Sequence, residues 1–123
     1  ATQLITSGKV ARPWLGISGV SITRDISEGL GLGVPEGVLL VQVIRAGPAD
    51  QAGLRGGNRE VAFGGVRFRL GGDIITAIDE NRISNMEQLV RQINGMRVGE
   101  TLTLHIVRDG RHQEIRVLLA ERP

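Results

Sequence analysis

The sequence predicts a small α+β domain, a β-sandwich or barrel of five to six strands with one short and one longer helix. Three observations lead to this fold class. Two apolar runs, 38–44 and 74–78, are bounded by turn residues and are typical of buried strands. Residues 86–93 carry apolar side chains at helical spacing. Residues 101–119 alternate on either side of Asp109-Gly110, which predicts a hairpin.

The N-terminal segment predicts a linker, a strand and a loop. Apolar residues within 3–10 indicate the tail of a helix or a linker that arrives from a preceding domain. Because the residue before a proline prefers extended backbone, Arg12-Pro13 leads into a first strand with apolar positions up to Ile22. The glycines within 25–36 predict a loop. We therefore assign residues 1–13 to a linker and 14–123 to the domain.

The centre of the chain alternates between strands and short connections. The run that begins at Gly37 is apolar on both faces, as in a central strand. Pro48 fits a first helical position and Gly53 a left-handed helix end, so 48–53 predicts a very short helix. Residues 56–71 show no clear period and predict an irregular insertion, with a small hairpin about Gly64-Gly65 as one option. A strand at 73–79 follows.

The longer helix carries its own start and stop signals. Ser84 and Glu87 have the spacing of a capping box, in which each side chain bonds a free backbone N–H. Asn94-Gly95 predicts the end of the helix.

Composition excludes several classes of protein. The chain has no cysteine, which excludes disulfides and thiolate metal sites. No apolar run approaches the roughly 20 residues of a membrane span. The fifteen Lys and Arg residues are scattered among thirteen acidic ones, and Phe63 and Phe68 are too few for a base-stacking platform. We expect no nucleic-acid partner and no membrane-spanning segment.

Candidate catalytic and ligand-binding residues are weak, so we predict no catalytic residues, no metal and no cofactor. Ser18 lacks the flanking pattern of a nucleophile elbow. His105 and His112 fall on the two arms of the last hairpin without a suitably spaced carboxylate, and solvated strand positions explain them better. The glycines at 29–33 follow no strand and precede Pro35, unlike a phosphate loop.

The order of these elements resembles the PDZ domain, a module that grips the C-terminal ends of peptides. Residues 47–54 followed by 72–79 are similar to its centre, and Trp14-Leu15-Gly16-Ile17 matches its carboxylate-binding loop, an apolar residue, glycine and an apolar residue. Such a loop supplies converging backbone N–H groups to a terminal carboxylate. The resemblance implies that the strand formed by Ile17, Ser18, Gly19 and Val20 pairs with the peptide.

The helix at 85–94 would supply the opposite wall, a pocket for the last apolar side chain of the peptide. We assign Leu89 and Ile93, one turn apart, to this wall, and Met86 and Val90 to the core. Taken singly, each of Leu15, Ile17, Leu89 and Ile93 fits a plain core position better than a groove position, and only together, with the order of the elements, do they favour the groove.

Residues 8–17 further resemble the junction between the protease and first PDZ domain of HtrA/Deg serine proteases, and 83–84, 98–100 and 107–110 are similar to the rest of that PDZ domain. Membership implies a permuted PDZ connectivity, closed by a strand from the C-terminal end. It also implies a parent serine endopeptidase, homo-oligomeric through its protease domain and engaged in protein quality control. Its location would be the bacterial periplasm or envelope, or the plastid lumen. The family's catalytic triad has no match here, and the insertion at 56–71 departs from common members.

Two other functions stay open at this point. A PDZ module can gate or scaffold a membrane metalloprotease or a secretion-system protein. A third alternative is an occluded groove, in a domain that serves only oligomer contacts.

Overall fold

The computed structural model describes residues 13–121, with the backbone alone at positions 63, 66 and 68. This part of the chain forms ten strands and three helices. The strands are β1 (Pro13–Trp14), β2 (Ile17–Ile22), β3 (Gly37–Val43), β4 (Arg59–Phe63), β5 (Val66–Leu70), β6 (Ile74–Ile78), β7 (Asn81–Arg82), β8 (Thr101–Arg108), β9 (Arg111–Leu118) and β10 (Ala120–Glu121). The helices are α1 (Arg24–Leu30), α2 (Pro48–Ala52) and α3 (Met86–Asn94). Within residues 13–121 no helix has the length and apolar character of a membrane span.

One antiparallel sheet organises the domain, with the strand order β2-β3-β6-β8-β9 and with β7 beside β6. The strands β8 and β9 are joined through Asp109-Gly110, both at positive φ, as the hairpin signal predicted. Two small sheets, β1-β10 and β4-β5, complete the fold. Pro13 pairs with Glu121, so a strand from the C-terminal end closes the domain. The predicted α+β class and the predicted permuted connectivity are confirmed.

The sheet is covered on both faces, which explains the uninterrupted apolar run of β3. Val38 and Leu40 belong to the main core cluster, against which α2 and α3 pack. Leu39 points to the other face and joins a second cluster with Ile22 and Leu70. Successive side chains of a strand alternate between faces, so a strand buried on both sides must be apolar throughout.

The loop predicted at 25–36 is wrong in its first half, where the chain forms α1. The hydroxyl of Thr23 accepts a hydrogen bond from the N–H of Ile26 at 3.3 Å and caps the helix start. Gly31 ends the helix at φ +66. The buried Ser27 hydroxyl donates to the carbonyl of Val34, which fastens the following turn to the helix. One of the glycines that indicated a loop, Gly31, therefore ends a helix instead.

The insertion is a β-hairpin, the option that the sequence offered for 56–71. The strands β4 and β5 pair from Arg59↔Leu70 to Phe63↔Val66, with Gly64-Gly65 as the turn. The N–H of Gly57 bonds the carbonyl of Val41 at 3.0 Å, which ties the base of the hairpin to β3.

A buried ion pair lies beside the base of this hairpin. Asp73 is fully buried and accepts two bonds of 2.7 Å from the guanidinium of Arg108. The same guanidinium donates to the carbonyl of Gly53, and the N–H of Arg55 donates to Asp73 at 2.9 Å. The hydrogen bond to Asp73 raises the pKa of Arg108 against the opposing effect of burial. The pair joins β6, β8, α2 and the hairpin base.

The predicted capping box at Ser84 is wrong, because α3 begins one residue later than predicted. Asn85, not Ser84, is the N-cap, and its side chain accepts from the N–H of Gln88 at 2.8 Å. The side chain of Gln88 in turn accepts from the N–H of Ser84 at 2.8 Å. Glu87 instead pairs with Arg91, one turn further along the helix. Because Ser and Asn are both good caps, spacing alone could not choose between neighbours.

Candidate functional site

A cavity of about 190 Å³ lies where the chain leaves β1, begins β2 and passes under α3. Its lining contains no charged residue. The lining residues are Pro13, Trp14, Leu15, Gly16, Ile17, Met86, Leu89, Val90, Ile93 and Asn94. The cavity is smaller than the roughly 300–1,000 Å³ of usual small-molecule sites, and it suits a single apolar side chain.

The loop at 14–17 turns its carbonyl groups inward. The carbonyl of Leu15 accepts from the N–H of Ala49 at 2.9 Å, and that of Gly16 from the N–H of Ile44 at 2.8 Å. In a trans peptide the N–H points opposite to the C=O. The N–H groups of Gly16 and Ile17 therefore point away from α2 and β3.

These N–H groups are available to a ligand. Within residues 13–121, no hydrogen bond joins the N–H of Gly16 to an acceptor, and the N–H of Ile17 lies on the side of β2 away from β3. Gly16 has φ +77, and a Cβ there would lie 3.3 Å from the Trp14 ring. A side chain at this position would be strained in conformation and tight in space. Glycine is thus required for the bend that presents the donors.

The strand that follows this loop is a sheet edge. β2 pairs with β3 on one side, and no strand of the described range pairs with its other side. Since Ile44 donates to Gly16, Ile17 and Val43 form a non-hydrogen-bonded pair, which directs the N–H and C=O of Ile17 to the open edge. A bulge between Ser18 and Gly19 interrupts the register with β3. The predicted pairing residues 17–20 therefore begin at an edge that can receive another strand.

The predicted assignment of Val90 to the core is wrong, because its side chain lies at the solvent-exposed border of α3. Val90 is 44% exposed, whereas Leu89 is 1% and Ile93 7% exposed, and both of the latter belong to the main core cluster. Buried Leu89 and Ile93 line the cavity, and half-buried Met86 lines it too. Met86, Leu89, Val90 and Ile93 form one apolar stripe along α3. Val90 lies on the side of this stripe that faces solvent. The accessible wall is therefore Val90, with Met86 and Asn94 at its ends.

Ser21 lies outside the cavity lining but contacts the start of α3, and the sequence did not single it out. Its hydroxyl accepts a hydrogen bond of 2.9 Å from the N–H of Met86, the first residue of α3. An exposed serine in a strand gives no sequence signal for a contact 65 residues away.

The two histidines of the last hairpin are not paired directly across it. The Nε2 of His105 lies 2.9 Å from the carbonyl oxygen of Asp79, and its Nδ1 lies 3.8 Å from a carboxylate oxygen of Glu114. His112 stands opposite Val107 rather than His105. In the described range, no group of three or more His, Asp or Glu side chains is placed to hold a metal ion.

Comparisons with known proteins bear on this arrangement. The family model described as "PDZ domain" matches residues 13–119. A "Probable periplasmic serine endoprotease DegP-like" of Ectopseudomonas mendocina (strain ymp) is 31% identical over 121 residues, which cover 98% of this chain and 22% of the relative. One of the same description from Pseudomonas savastanoi pv. phaseolicola (strain 1448A / Race 6) is 32% identical over 123 residues, covering 100% of this chain and 22% of the relative. The chain thus spans about a fifth of the length of these relatives.

Solved structures of HtrA-type proteases are also similar to this chain. The HtrA-type protease AlgW with a decapeptide superposes with a TM-score of 0.73 at 28% identity, covering 94% of this chain and 31% of that one. AlgW with a tripeptide gives a TM-score of 0.70 at 28% identity, covering 94% and 34%.

Proposed function

The chain belongs to the PDZ domain family, in the form found in HtrA/DegP-type serine proteases, and on this premise we propose that it is the peptide-binding module of such a protease. The ligand is the C-terminus, or an extended apolar segment, of an unfolded protein. Binding presents the substrate to the protease domain or passes it an activating signal. The relatives are named periplasmic enzymes, which supports a location in the bacterial periplasm or envelope.

The observation that carries the proposal is the meeting of three features at one cavity. The outward-pointing N–H groups of Gly16 and Ile17, the open edge of β2 and the apolar wall at Val90 all border it or lie beside it. A peptide added to β2 gains main-chain hydrogen bonds, its carboxylate meets the loop, and its last side chain fills the cavity.

The chemistry of the lining favours a particular ligand. Because the lining holds no charged side chain, the carboxylate is held by backbone dipoles alone, and the pocket accepts a small or medium apolar side chain. One added strand and one filled pocket give few strong anchors. We expect dissociation constants in the micromolar range or looser, about −8 kcal/mol or less favourable.

The two alternatives predict different behaviour. A gate or scaffold of a membrane metalloprotease would use the same groove, and the DegP-like names of the relatives speak for the serine protease instead. A domain that serves only oligomer contacts would bind no peptide. The open edge of β2 argues against an occluded groove.

Calorimetry with matched peptides tests the proposal. Peptides ending in Val or Ala with a free carboxylate should bind, and their C-terminal amides should bind about 10- to 150-fold more weakly, since a charge-assisted hydrogen bond is worth about 1.5–3 kcal/mol. Equal affinities for the two forms would indicate recognition of internal segments. Absence of binding to both forms would overturn the proposal.

A further inference from the structure

One peptide group orients the loop at 14–17, namely the group that joins Leu15 to Gly16. Its carbonyl, on Leu15, accepts a hydrogen bond of 2.9 Å from the N–H of Ala49. Because a peptide group is planar, the bond that fixes this carbonyl also fixes the direction of the N–H of Gly16. Ala49 is fully buried in α2. The position of α2 therefore determines where the N–H of Gly16 points.

Helix α2 depends on its surroundings for its position. It has five residues, and helices shorter than about 12–15 residues are marginal in water by themselves. At its N-terminal end Pro48 and Ala49 are buried. At its C-terminal end the carbonyl of Gly53 accepts a hydrogen bond of 2.9 Å from the guanidinium of Arg108. Since the helix is only about 7 Å long, a shift of its C-terminal end also moves Ala49.

The guanidinium of Arg108 is itself held in one direction. It donates two bonds of 2.7 Å to the carboxylate of Asp73, one from Nε and one from the terminal nitrogen that also reaches Gly53. The side chain of Asp73 is 0% exposed and that of Arg108 is 16% exposed. A two-bond pair of this kind gives directional specificity as well as energy. The donor to Gly53 therefore leaves from a fixed point on β8.

Asp73 also anchors the segment that leaves α2. Its carboxylate accepts from the N–H of Arg55 at 2.9 Å, and its own N–H donates to the carbonyl of Arg55 at 2.9 Å. The carbonyl of Asp73 accepts from the N–H of Leu40 in β3, again at 2.9 Å. One residue thus fixes both the end of α2 and the chain that follows it to the central sheet.

We propose that Arg108 and Asp73 are positioning residues for the loop at 14–17. Through Gly53 and α2, their ion pair holds Ala49 where the N–H of Gly16 points at a bound carboxylate. Both residues of the pair lie outside the cavity lining, so they act through α2 and not by touching the peptide. This inference rests on the proposed peptide-binding function and names residues that set its preference for a free C-terminus.

Two variants break this series of bonds. The amide nitrogen of Arg108→Gln is the counterpart of Nε, so one bond to Asp73 is kept and the donor to Gly53 is lost. Asp73→Asn keeps the shape of the side chain but offers one acceptor oxygen in place of two, which breaks the two-bond pair. The second variant decides the test if the first does not fold.

Two further proteins serve as controls. Arg108→Lys restores a cation with three N–H donors, so it should recover most of the wild-type behaviour. Val34→Ala removes buried apolar contacts in the second core cluster, on the face of the sheet opposite α2. It lowers stability without touching the series of bonds. Thermal melts compare the stability of all the variants.

Calorimetry measures the binding of one peptide that ends in Val, as the free acid and as the C-terminal amide. On the wild type, Arg108→Lys and Val34→Ala, the acid should bind about 10- to 150-fold more tightly than the amide. On Arg108→Gln and Asp73→Asn this preference should fall by about 2- to 30-fold, as is typical of residues that act through a network. The fall should come from the acid, because the amide makes no carboxylate contact.

Amide hydrogen exchange without peptide follows the bond between Ala49 and Leu15 directly. Relative to the amides of β3, the N–H of Ala49 should exchange faster in Arg108→Gln and Asp73→Asn, because these variants loosen α2. In Val34→Ala its relative exchange should stay as in the wild type.

Other outcomes overturn the inference. A folded Arg108→Gln or Asp73→Asn with the wild-type preference for the acid, or with unchanged relative exchange of Ala49, shows that the pair does not position the loop. An equal loss of preference in Val34→Ala shows that the preference follows stability. Equal binding of acid and amide to the wild type overturns the inference and leaves recognition of internal segments. If neither form binds the wild type, the proposed function itself fails and the inference falls with it.

Discussion

The orientation of α3 makes opposite predictions for two adjacent residues. Replacing Val90 with arginine should weaken peptide binding at least tenfold and leave the domain folded, whereas Leu89→Arg should unfold it. Val90 is 44% exposed and stands at the accessible edge of the cavity. Its arginine replacement can carry the charge to water on a flexible stem.

The magnitudes separate the two variants clearly. At Val90 the stability should change by about 0.5 kcal/mol or less, as for other surface substitutions, and arginine is the better helix former. Blocking the pocket removes the burial of one apolar peptide side chain, about 1.5–3 kcal/mol, or roughly 10- to 150-fold in affinity. At Leu89, which is 1% exposed, losing the leucine costs about 2–5 kcal/mol and burying an unpaired charge several more. That sum approaches the whole stability of a domain, about 5–15 kcal/mol.

Thermal melts and peptide titrations on both variants measure these effects. Gln92→Arg is the matched control, because it adds the same charge to α3 on the side away from the cavity lining. It should melt and bind like the wild type. A folded, binding-competent Val90→Arg, or a folded Leu89→Arg that merely loses binding, would refute the orientation of the helix described above.

The remaining predictions concern the buried pair and the loop. Arg108→Ala should lower the free energy of unfolding by about 3–5 kcal/mol in urea titrations, because it leaves the fully buried carboxylate of Asp73 without its ion-pair partner; a change below about 1 kcal/mol would contradict this. Since the pKa of Arg108 is raised, the contribution of this shift to stability is complete below the ordinary guanidinium pKa and fades only as pH rises through the higher value. Gly16→Ala should weaken peptide binding with a stability loss of about 1–2 kcal/mol from the left-handed backbone, measured by calorimetry and melts. Unchanged affinity would show that the loop N–H groups are not ligands.

Sequence patterns predicted the elements whose signals are local. The run at β3, the punctuation of α2 and the Asp109-Gly110 turn each act within a few residues, and the structure confirms them. Helix α1 was missed because the glycines around it outweighed the cap at Thr23. Its seven residues are too few for a periodic signal of their own.

The site was harder to predict than the fold. An apolar stripe on a helix shows which side is buried but not which edge of the stripe faces solvent. Whether Leu89 or Val90 forms the accessible wall of the cavity depends on how α3 is oriented over the sheet. The hydrogen bond from the N–H of Met86 to the hydroxyl of Ser21 joins residues far apart in the chain, so no local pattern could reveal it. At 14–17 the structure shows that Gly16 has a left-handed backbone, a requirement that acts within a few residues, while the role of this loop in binding stays a prediction.

The pairing of β1 with β10 has a mechanical consequence. The strands that close the domain meet through only two residue pairs, Pro13↔Glu121 and Trp14↔Ala120, so the two ends of residues 13–121 are neighbours. Tension applied at both ends would peel these pairs apart one after the other, instead of shearing the long β8-β9 ladder. Trp14 leads directly into Leu15 and Gly16, so such a pull would reach the loop at 14–17 before it reaches the core.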